Sequence, residues 1–209
     1  MQSRSQTSEH NVPILTVSLE TENGSRELKR ENGSISMKFR YKVTYHGVDT
    51  NNSTTACPLT FFTNVFYDEL NYQLHRRVHG GSGQWIPCRY GDYCLGFVND
   101  QPPKIHIAQS ENFVCLYPSE SWEGSLTLDD EFWEFPNHLR AGTTFRFAFK
   151  GATIEWWDWG TKYGTHADTV VTLSGYGQST RSNFTDDNNG GKPQTVVPSS
   201  NEIELVLAD

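Results

Sequence analysis

The sequence predicts an all-β domain, built as a sandwich or a barrel of antiparallel strands. Two observations predict this fold class: many short segments alternate apolar and polar residues, and clusters of turn-forming residues separate them. A third observation agrees with them, because no stretch of about 12 residues carries a convincing helical stripe. A chain of 209 residues is long enough to bury a core without disulfides or metals.

The clearest strand is "SISMKFRYKVTY", in which Met37, Phe39, Tyr41, Val43 and Tyr45 alternate with polar residues. This period of two predicts a strand with one buried face and one wet face. The same period appears in further segments, around Leu15–Leu19, Tyr72–Leu74, Ile105–Ile107, Trp122–Leu128, Phe145–Phe149 and Ile203–Leu207. We therefore predict that Phe39, Tyr41, Phe145 and Phe147 lie in the core.

One domain accounts for the whole chain, and no internal repeat is present. Residues 1–12 are polar and are predicted to form a flexible N-terminus, followed by the β-domain over residues 13–209. Within that domain, the Gly-, Asn- and Asp-rich stretch 177–194 predicts a mobile loop.

The charge of the chain excludes two classes of partner. With 17 Lys and Arg against 25 Asp and Glu, the net charge of −8 argues against nucleic acid and anionic membranes, which bind basic surfaces. The N-terminus lacks the apolar core of a signal peptide, and no run of about 18 apolar residues could span a bilayer. These features predict a cytoplasmic chain, or a secreted one if a leader has been removed.

Metal and cofactor sites are not predicted. Cys57, Cys88, Cys94 and Cys115 form no CxxC pair. Cys115 is expected to be buried and inert, whereas Cys88 and Cys94 could form a disulfide in an oxidising compartment. The sequence also lacks a P-loop, a dinucleotide fingerprint, a GxSxG elbow and an HExxH motif. His166 and Asp168 have the spacing of an iron-binding pair, but such short pairs arise by chance.

The stretch "EWWDWGTKYGTHADTVV" contains the strongest candidate for a functional site. The inward positions switch from odd numbers at Phe149 to even numbers at Ile154, which predicts a bend or bulge at Gly151. If Ile154 and Trp156 then point inward, Trp157 points outward and is not needed by the core.

Two interpretations of this stretch remain open. In the functional one, Trp157 and Trp159 form the wall of a ligand pocket, and Asp158 and His166 move or hold a proton. Lys162 or His166 would then supply the donor that Asp158 needs among the indoles. In the structural one, the tryptophans pack a corner of the fold and Asp158 caps a turn.

A second candidate group lies on the segment from Tyr72 to His79. By alternation, Arg76 shares a face with Tyr72 and Leu74, so Arg76 and Tyr72 are added to the predicted ligand-binding residues. An arginine on an apolar face can equally extend its stem along that face and reach water.

Several segments resemble a family of fungal proteins. They are "LTFFTNVF", "LHRRV", "CRYGDYCLGF", "FVCLYPSESWEGSL", "FRFAFKGATIEWWDWGTK", "HADTVV" and "VVPSSNEIEL". The chain departs from the family pattern at "KYGT" and "LSGYG", and the resemblance implies no particular activity. The units "CLYPSESWEGSLTL" and "HLRAGTTFRFAF" also resemble strand–turn–strand units of immunoglobulin-like sandwiches. We therefore expect a single immunoglobulin-like antiparallel β-sandwich.

These observations leave two hypotheses about function. In the first, a cofactor-free protein binds a small hydrophobic or aromatic metabolite and acts as a non-redox cyclase or isomerase by acid–base chemistry. In the second, a non-catalytic module binds a carbohydrate or a protein through the same indoles. A deep pocket containing Asp158 would favour the first hypothesis, and a flat row of exposed tryptophans would favour the second.

Overall fold

A computed structural model describes residues 12–31, 33–48, 57–78, 83–91, 104–136, 139–173 and 192–208. The predicted flexible segment 1–12 and the predicted mobile loop 177–194 lie outside the described residues, apart from residue 12 and residues 192–194. Within the described ranges, no helix is long and apolar enough to cross a membrane.

The described ranges consist of strands, turns, loops and three 3₁₀ turns, so the all-β prediction is confirmed. The 3₁₀ turns span Asn64–Phe66, Glu69–Asn71 and Ile107–Gln109. In chain order the strands are β1 (Pro13–Thr21), β2 (Glu27–Leu28), β3 (Arg30–Glu31), β4 (Ser34–Val48), β5 (Leu59–Phe62), β6 (Tyr72–Arg77), β7 (Trp85–Pro87), β8 (Lys104–His106), β9 (Phe113–Leu116), β10 (Ser121–Asp129), β11 (Thr144–Phe149), β12 (Ala152–Ile154), β13 (Trp157–Trp159), β14 (Val170–Thr172), β15 (Thr195–Val197) and β16 (Ile203–Leu207).

Two large sheets pack face to face as a sandwich. One has the order β1-β4-β10, with β3 paired to the start of β4, and the other has the order β2-β16-β11-β6-β7. Phe39 on β4 meets Phe147 on β11 across the interface, with ring centroids 4.7 Å apart. The predicted sandwich is therefore confirmed, while its immunoglobulin-like connectivity stays a prediction. Among the described strands, the pairings are antiparallel except that of β2 with β16, which is parallel.

The core follows the alternation of the sequence. Phe39, Tyr41 and Phe145 are 0% exposed and Phe147 is 1% exposed, as predicted. On β4 the lysine and arginine side chains between these apolar residues face water. One face of a pleated strand packs while the other is solvated, so this alternation identifies the buried side.

The predicted bend at Gly151 is present. Gly151 has a φ of 93°, and the chain there leaves the five-stranded sheet, so that β12 pairs with β15. A Cβ atom at this position would lie 3.0 Å from the carbonyl oxygen of Val197. Only glycine combines this backbone conformation with so close an approach. The bend carries the chain into a smaller sheet with the order β13-β5-β9.

This three-stranded sheet separates two hydrophobic clusters. The main core, which fills the sandwich, contacts the face that carries Phe61 and Trp157. The opposite face is covered by the second cluster, which consists of Phe62, Ile107, Phe113, Trp156, Val171 and Leu173. All four residues of β5 are buried in consequence. A further pair of short strands, β8 and β14, contributes Val171 to the second cluster.

Candidate functional site

The predicted tryptophan wall is a packed part of the fold. Trp157 is only 1% exposed and its indole N–H donates to the carbonyl oxygen of Pro193 at 3.1 Å, so the prediction that it points outward is wrong. Trp159 is half-buried and meets the Trp157 ring edge-on at 5.1 Å. The prediction assumed that one face of the sheet is wet, but both faces are covered.

Asp158 has local partners different from those predicted. Its Oδ1 accepts the backbone N–H of Trp159 at 2.7 Å, and its Oδ2 pairs with the Nζ of Lys192 at 3.1 Å. The predicted donor Lys162 instead donates to the carbonyl oxygen of Ser110 at 2.7 Å. The side chain of Asp158 remains 29% exposed. The carboxylate is thus a partly exposed member of an ion pair.

His166 is buried and links the loop that follows β13 to that strand. It is 4% exposed, and its Nε2 lies 3.1 Å from the carbonyl oxygen of Trp159. A carbonyl can only accept, so Nε2 donates to it, and Nδ1 lies 3.4 Å from the hydroxyl oxygen of Thr169. The ring also packs edge-on against Trp156 at 5.5 Å. Both nitrogens are therefore directed to protein partners.

The two ligand-binding candidates on β6 belong to a different sheet. Tyr72 is a core residue: its hydroxyl donates to the carbonyl oxygen of Phe66 at 2.9 Å, and its ring stacks on Phe147 at 5.5 Å. Arg76 is half-buried beside Cys88, and burial raises the pKa of that thiol to about 11 against the opposing effect of the guanidinium. The structure thus leaves these residues outside the β13 sheet that carries Asp158.

Cys88 and Cys115 are both half-buried free thiols. Cys115 is half-buried rather than fully buried, and its sulfur lies 3.8 Å from the carbonyl oxygen of Gly160. Cys88 is half-buried, whereas Cys94 and any bridge to it lie outside the described residues.

A cavity of about 660 Å³ opens at the start of β4, away from the predicted segment. It lies where the segment after β10 passes the β3–β4 turn. We call it the acidic cavity, because its described lining residues include three carboxylates, those of Asp130, Glu131 and Glu134, and one guanidinium, that of Arg30. Its lining residues are Arg30, Gly33, Ile35, Gly91, Asp130, Glu131, Phe132, Trp133, Glu134, Phe135 and Pro136.

Asp130 fixes one wall of the acidic cavity. Its carboxylate accepts the hydroxyl of Ser34 at 2.6 Å and the backbone N–H of Ile35 at 3.0 Å. Slight burial raises the pKa of Asp130, but these hydrogen bonds and the nearby Arg30 outweigh that effect and lower it below its ordinary value. Asp130 therefore stays ionised and ties the segment after β10 to the start of β4.

Phe132 and Trp133 form an aromatic wall of the cavity. Both pack against Tyr90, which is not itself in the lining: Tyr90 lies parallel to Phe132 at 6.2 Å and meets Trp133 edge-on at 5.4 Å. The backbone supports this arrangement, because Gly91 donates its N–H to Phe132 and Glu134 donates its N–H to Arg89. Trp133 in turn packs edge-on against Phe147 of the main core at 6.2 Å. The wall is therefore anchored in the sandwich.

A hydrogen-bonded acid lies behind this wall. The hydroxyl of Tyr90 donates to Oε2 of Glu69 at 2.6 Å. Partial burial raises the pKa of Glu69 above its ordinary value, the hydrogen bond from Tyr90 opposes that effect, and the carboxylates of Asp129, Asp68 and Glu131 add to it. This side of the molecule thus concentrates negative charge next to aromatic rings.

Sequence reasoning missed the acidic cavity. A signal for it exists in "DDEFWEFP", where Phe132, Trp133 and Phe135 are interleaved with Glu131 and Glu134 directly after a strand. Aromatic residues beside carboxylates at a strand end are typical of binding loops. The other half of the cavity, which consists of Arg30, Gly33 and Ile35, comes from a distant part of the sequence, and the pairing of β4 with β10 brings the two together.

Comparisons with known proteins identify no family for this chain. No protein-family model matches the sequence, and no curated protein matches it either. The resemblance to fungal proteins therefore stays a prediction.

Proposed function

We propose that this protein binds a small organic cation with a flat apolar or aromatic body in the acidic cavity, without turning it over. The observation that carries the proposal is the cavity itself. Its volume of about 660 Å³ lies within the usual range of small-molecule sites, and aromatic and charged residues line it together. The proposal retains the small-molecule ligand that the sequence predicts, but it assigns the binding site to the segment after β10 and no longer to Asp158.

The charge of the lining favours a cation. Arg30 and the hydrogen-bonded Asp130 offset one another, while Glu131 and Glu134 are exposed to solvent at the rim. Among the described lining residues these two carboxylates have no opposite charge to offset them, so they attract a cation and repel an anion. The rings of Phe132 and Phe135 add a surface on which an ammonium or guanidinium group is stabilised.

Binding is favoured over catalysis by the state of the predicted acid and base. His166 has both ring nitrogens in hydrogen bonds, and Asp158 is paired with Lys192. Neither residue belongs to the lining of the acidic cavity. An acid–base catalyst must reach the proton that it moves, and these two groups are directed to protein partners. These contacts support the non-catalytic hypothesis over the cyclase or isomerase hypothesis.

The test compares ligands that share a ring and differ in charge. Calorimetric titration with tryptamine and benzylamine is expected to show binding, whereas indole-3-acetate and phenylacetate are not expected to bind. The double substitution Glu131→Gln, Glu134→Gln should weaken binding of the amines about tenfold, because each lost charge contributes roughly 0.7 kcal/mol in a partly exposed site.

The matched control is Glu111→Gln, since Glu111 is also exposed but lies outside the lining. It removes one negative charge and should leave affinity for the amines nearly unchanged. Equal affinity for amines and carboxylates, or no detectable binding of either amine at about 5 mM, would contradict the proposal.

A further inference from the structure

A second feature lies at the edge strand β10, where Tyr41 packs over Gly124. The two residues are cross-strand partners on β4 and β10. A Cβ atom at Gly124 would overlap the Oη of Tyr41, so the phenol occupies the space that a side chain would take. A ring laid over a glycine on an edge strand protects the strand from solvent. That packing explains the ring of Tyr41 but not its hydroxyl.

The hydroxyl of Tyr41 makes no hydrogen bond of good geometry among the described residues, although the residue is 0% exposed, and the phenol of Tyr67 is a polar group beside it. Burial and then the nearby phenol of Tyr67 raise the pKa of Tyr41 far above its ordinary value, so the hydroxyl keeps its proton. A buried polar group without a partner destabilises the fold, and phenylalanine would fill the same space without that cost. A use outside the fold would account for the hydroxyl.

The rings around Tyr41 are partly core and partly surface: Phe66, which is 0% exposed, stacks on it at 5.8 Å, whereas Tyr67 and Trp122 lie toward the surface. Tyr67 is 50% exposed, and Trp122 is half-buried. Tyr41 meets Trp122 at 5.4 Å and Tyr67 edge-on at 6.3 Å, and Tyr67 meets Trp122 at 6.0 Å. Exposed side chains change rotamer in nanoseconds or less, so a turn of the Tyr67 ring would open the hydroxyl to a ligand.

The surroundings are suited to a ring that carries hydroxyl groups. Aromatic faces stack against the apolar faces of such rings, and carboxylates accept their hydroxyl protons. Asp68 follows Tyr67 directly in the chain and carries a carboxylate, one oxygen of which accepts the backbone N–H of Leu70. The Tyr41 hydroxyl can both donate and accept, which matches a hydroxyl group on a ligand.

We propose that Trp122, Tyr67 and the hydroxyl of Tyr41 form a second binding site, whose ligand is a sugar ring stacked on the aromatics. This site does not depend on the acidic cavity, because none of the three residues lines that cavity. After the Tyr67 ring turns aside, the sugar accepts one hydrogen bond from the Tyr41 hydroxyl or donates one to it. It is a binding site only, and no bond is made or broken in it.

The experiment titrates the protein with tetrasaccharides of glucose and of N-acetylglucosamine and measures binding by calorimetry. Wild-type protein should bind at least one of them, and Tyr41→Phe should weaken that binding about five- to tenfold, because one neutral hydrogen bond is lost. The melting temperature of Tyr41→Phe should be equal to or above that of the wild type. Trp122→Ala should reduce binding below detection.

Two controls test whether the loss of sugar binding is specific to these three residues. Tyr163→Phe removes the hydroxyl of another tyrosine, which is 75% exposed, and should leave sugar binding unchanged. The substitutions Glu131→Gln and Glu134→Gln in the acidic cavity should also leave it unchanged. The proposal is overturned if no tetrasaccharide binds at about 5 mM, or if Tyr41→Phe binds as tightly as wild type. It is equally overturned if Tyr41→Phe melts several degrees lower, since the hydroxyl would then serve the fold.

Discussion

Trp156 and Trp157 are neighbours in the chain and lie in different hydrophobic clusters. Trp157 belongs to the main core and stands opposite Phe61 on β5, whereas Trp156 belongs to the second cluster. There it packs edge-on against Phe113 at 5.4 Å. The backbone N–H of Phe62 donates to the carbonyl oxygen of Trp156 at 2.9 Å, so the ladder between the strands continues through this residue.

This comparison shows what alternation can and cannot predict. Adjacent residues of extended chain point to opposite faces of a sheet, and Trp156, directly before β13, and Trp157, its first residue, obey that rule. Whether a face is exposed to solvent depends on which other segments pack against it, and the alternation of the sequence carries no information about those segments. On β4 one face is solvated, while β5 is buried on both faces. The continuous apolar run "LTFF" of β5 is the sequence signal of the second situation.

The largest expected effect lies in the main core, where the sequence prediction was confirmed. Phe147→Ala should lower the free energy of unfolding by about 3–5 kcal/mol, because a buried ring that contacts Phe39, Tyr72 and Trp133 is lost. Chemical denaturation measures this change. Val206→Ala on the same sheet is the control, since Val206 is 42% exposed and should change stability by less than about 1 kcal/mol. A midpoint for Phe147→Ala equal to that of wild type would refute the sheet packing.

A smaller effect is expected in the second cluster. His166→Ala removes a buried ring and leaves the carbonyl oxygen of Trp159 without its donor. This substitution should lower the free energy of unfolding by about 2 kcal/mol. Amide hydrogen exchange should show the loss of protection concentrated around the second cluster, because that cluster is separated from the main core by a sheet. His106→Ala, at an exposed histidine on β8, should leave both measurements almost unchanged. Uniform loss of protection throughout the chain would show that the two clusters unfold as one unit.

The fold was more predictable than the candidate site, for a physical reason. Period-two alternation is local, so it identified β4 and β11, and the parity switch identified the bend at Gly151. The partners of a polar side chain are set by packing between distant segments. Lys192 reaches Asp158 from far along the chain, and the acidic cavity combines the start of β4 with the end of β10. No spacing within "EWWDWGTK" contains that information.

The smallest expected change in stability is at Asp158, the residue that the sequence analysis predicted to move or hold a proton. Asp158→Asn keeps an oxygen to accept the N–H of Trp159 and loses the ion pair with Lys192. A pair that is more than a quarter exposed contributes about 0–1 kcal/mol, so thermal unfolding should shift by no more than about 3 °C.

Ionic strength and ligand binding distinguish the possible roles of this carboxylate. The difference in melting temperature between Asp158→Asn and wild type should shrink as salt is raised to about 1 M, because exposed charges are screened. Glu20→Gln, which breaks the exposed pair with Arg40, should behave in the same way. Affinity for tryptamine should be unchanged in Asp158→Asn, since Asp158 is outside the lining of the acidic cavity. If the substitution instead abolished tryptamine binding while the fold survived, the functional carboxylate would lie between the two tryptophans after all, and the acidic cavity would not be the site.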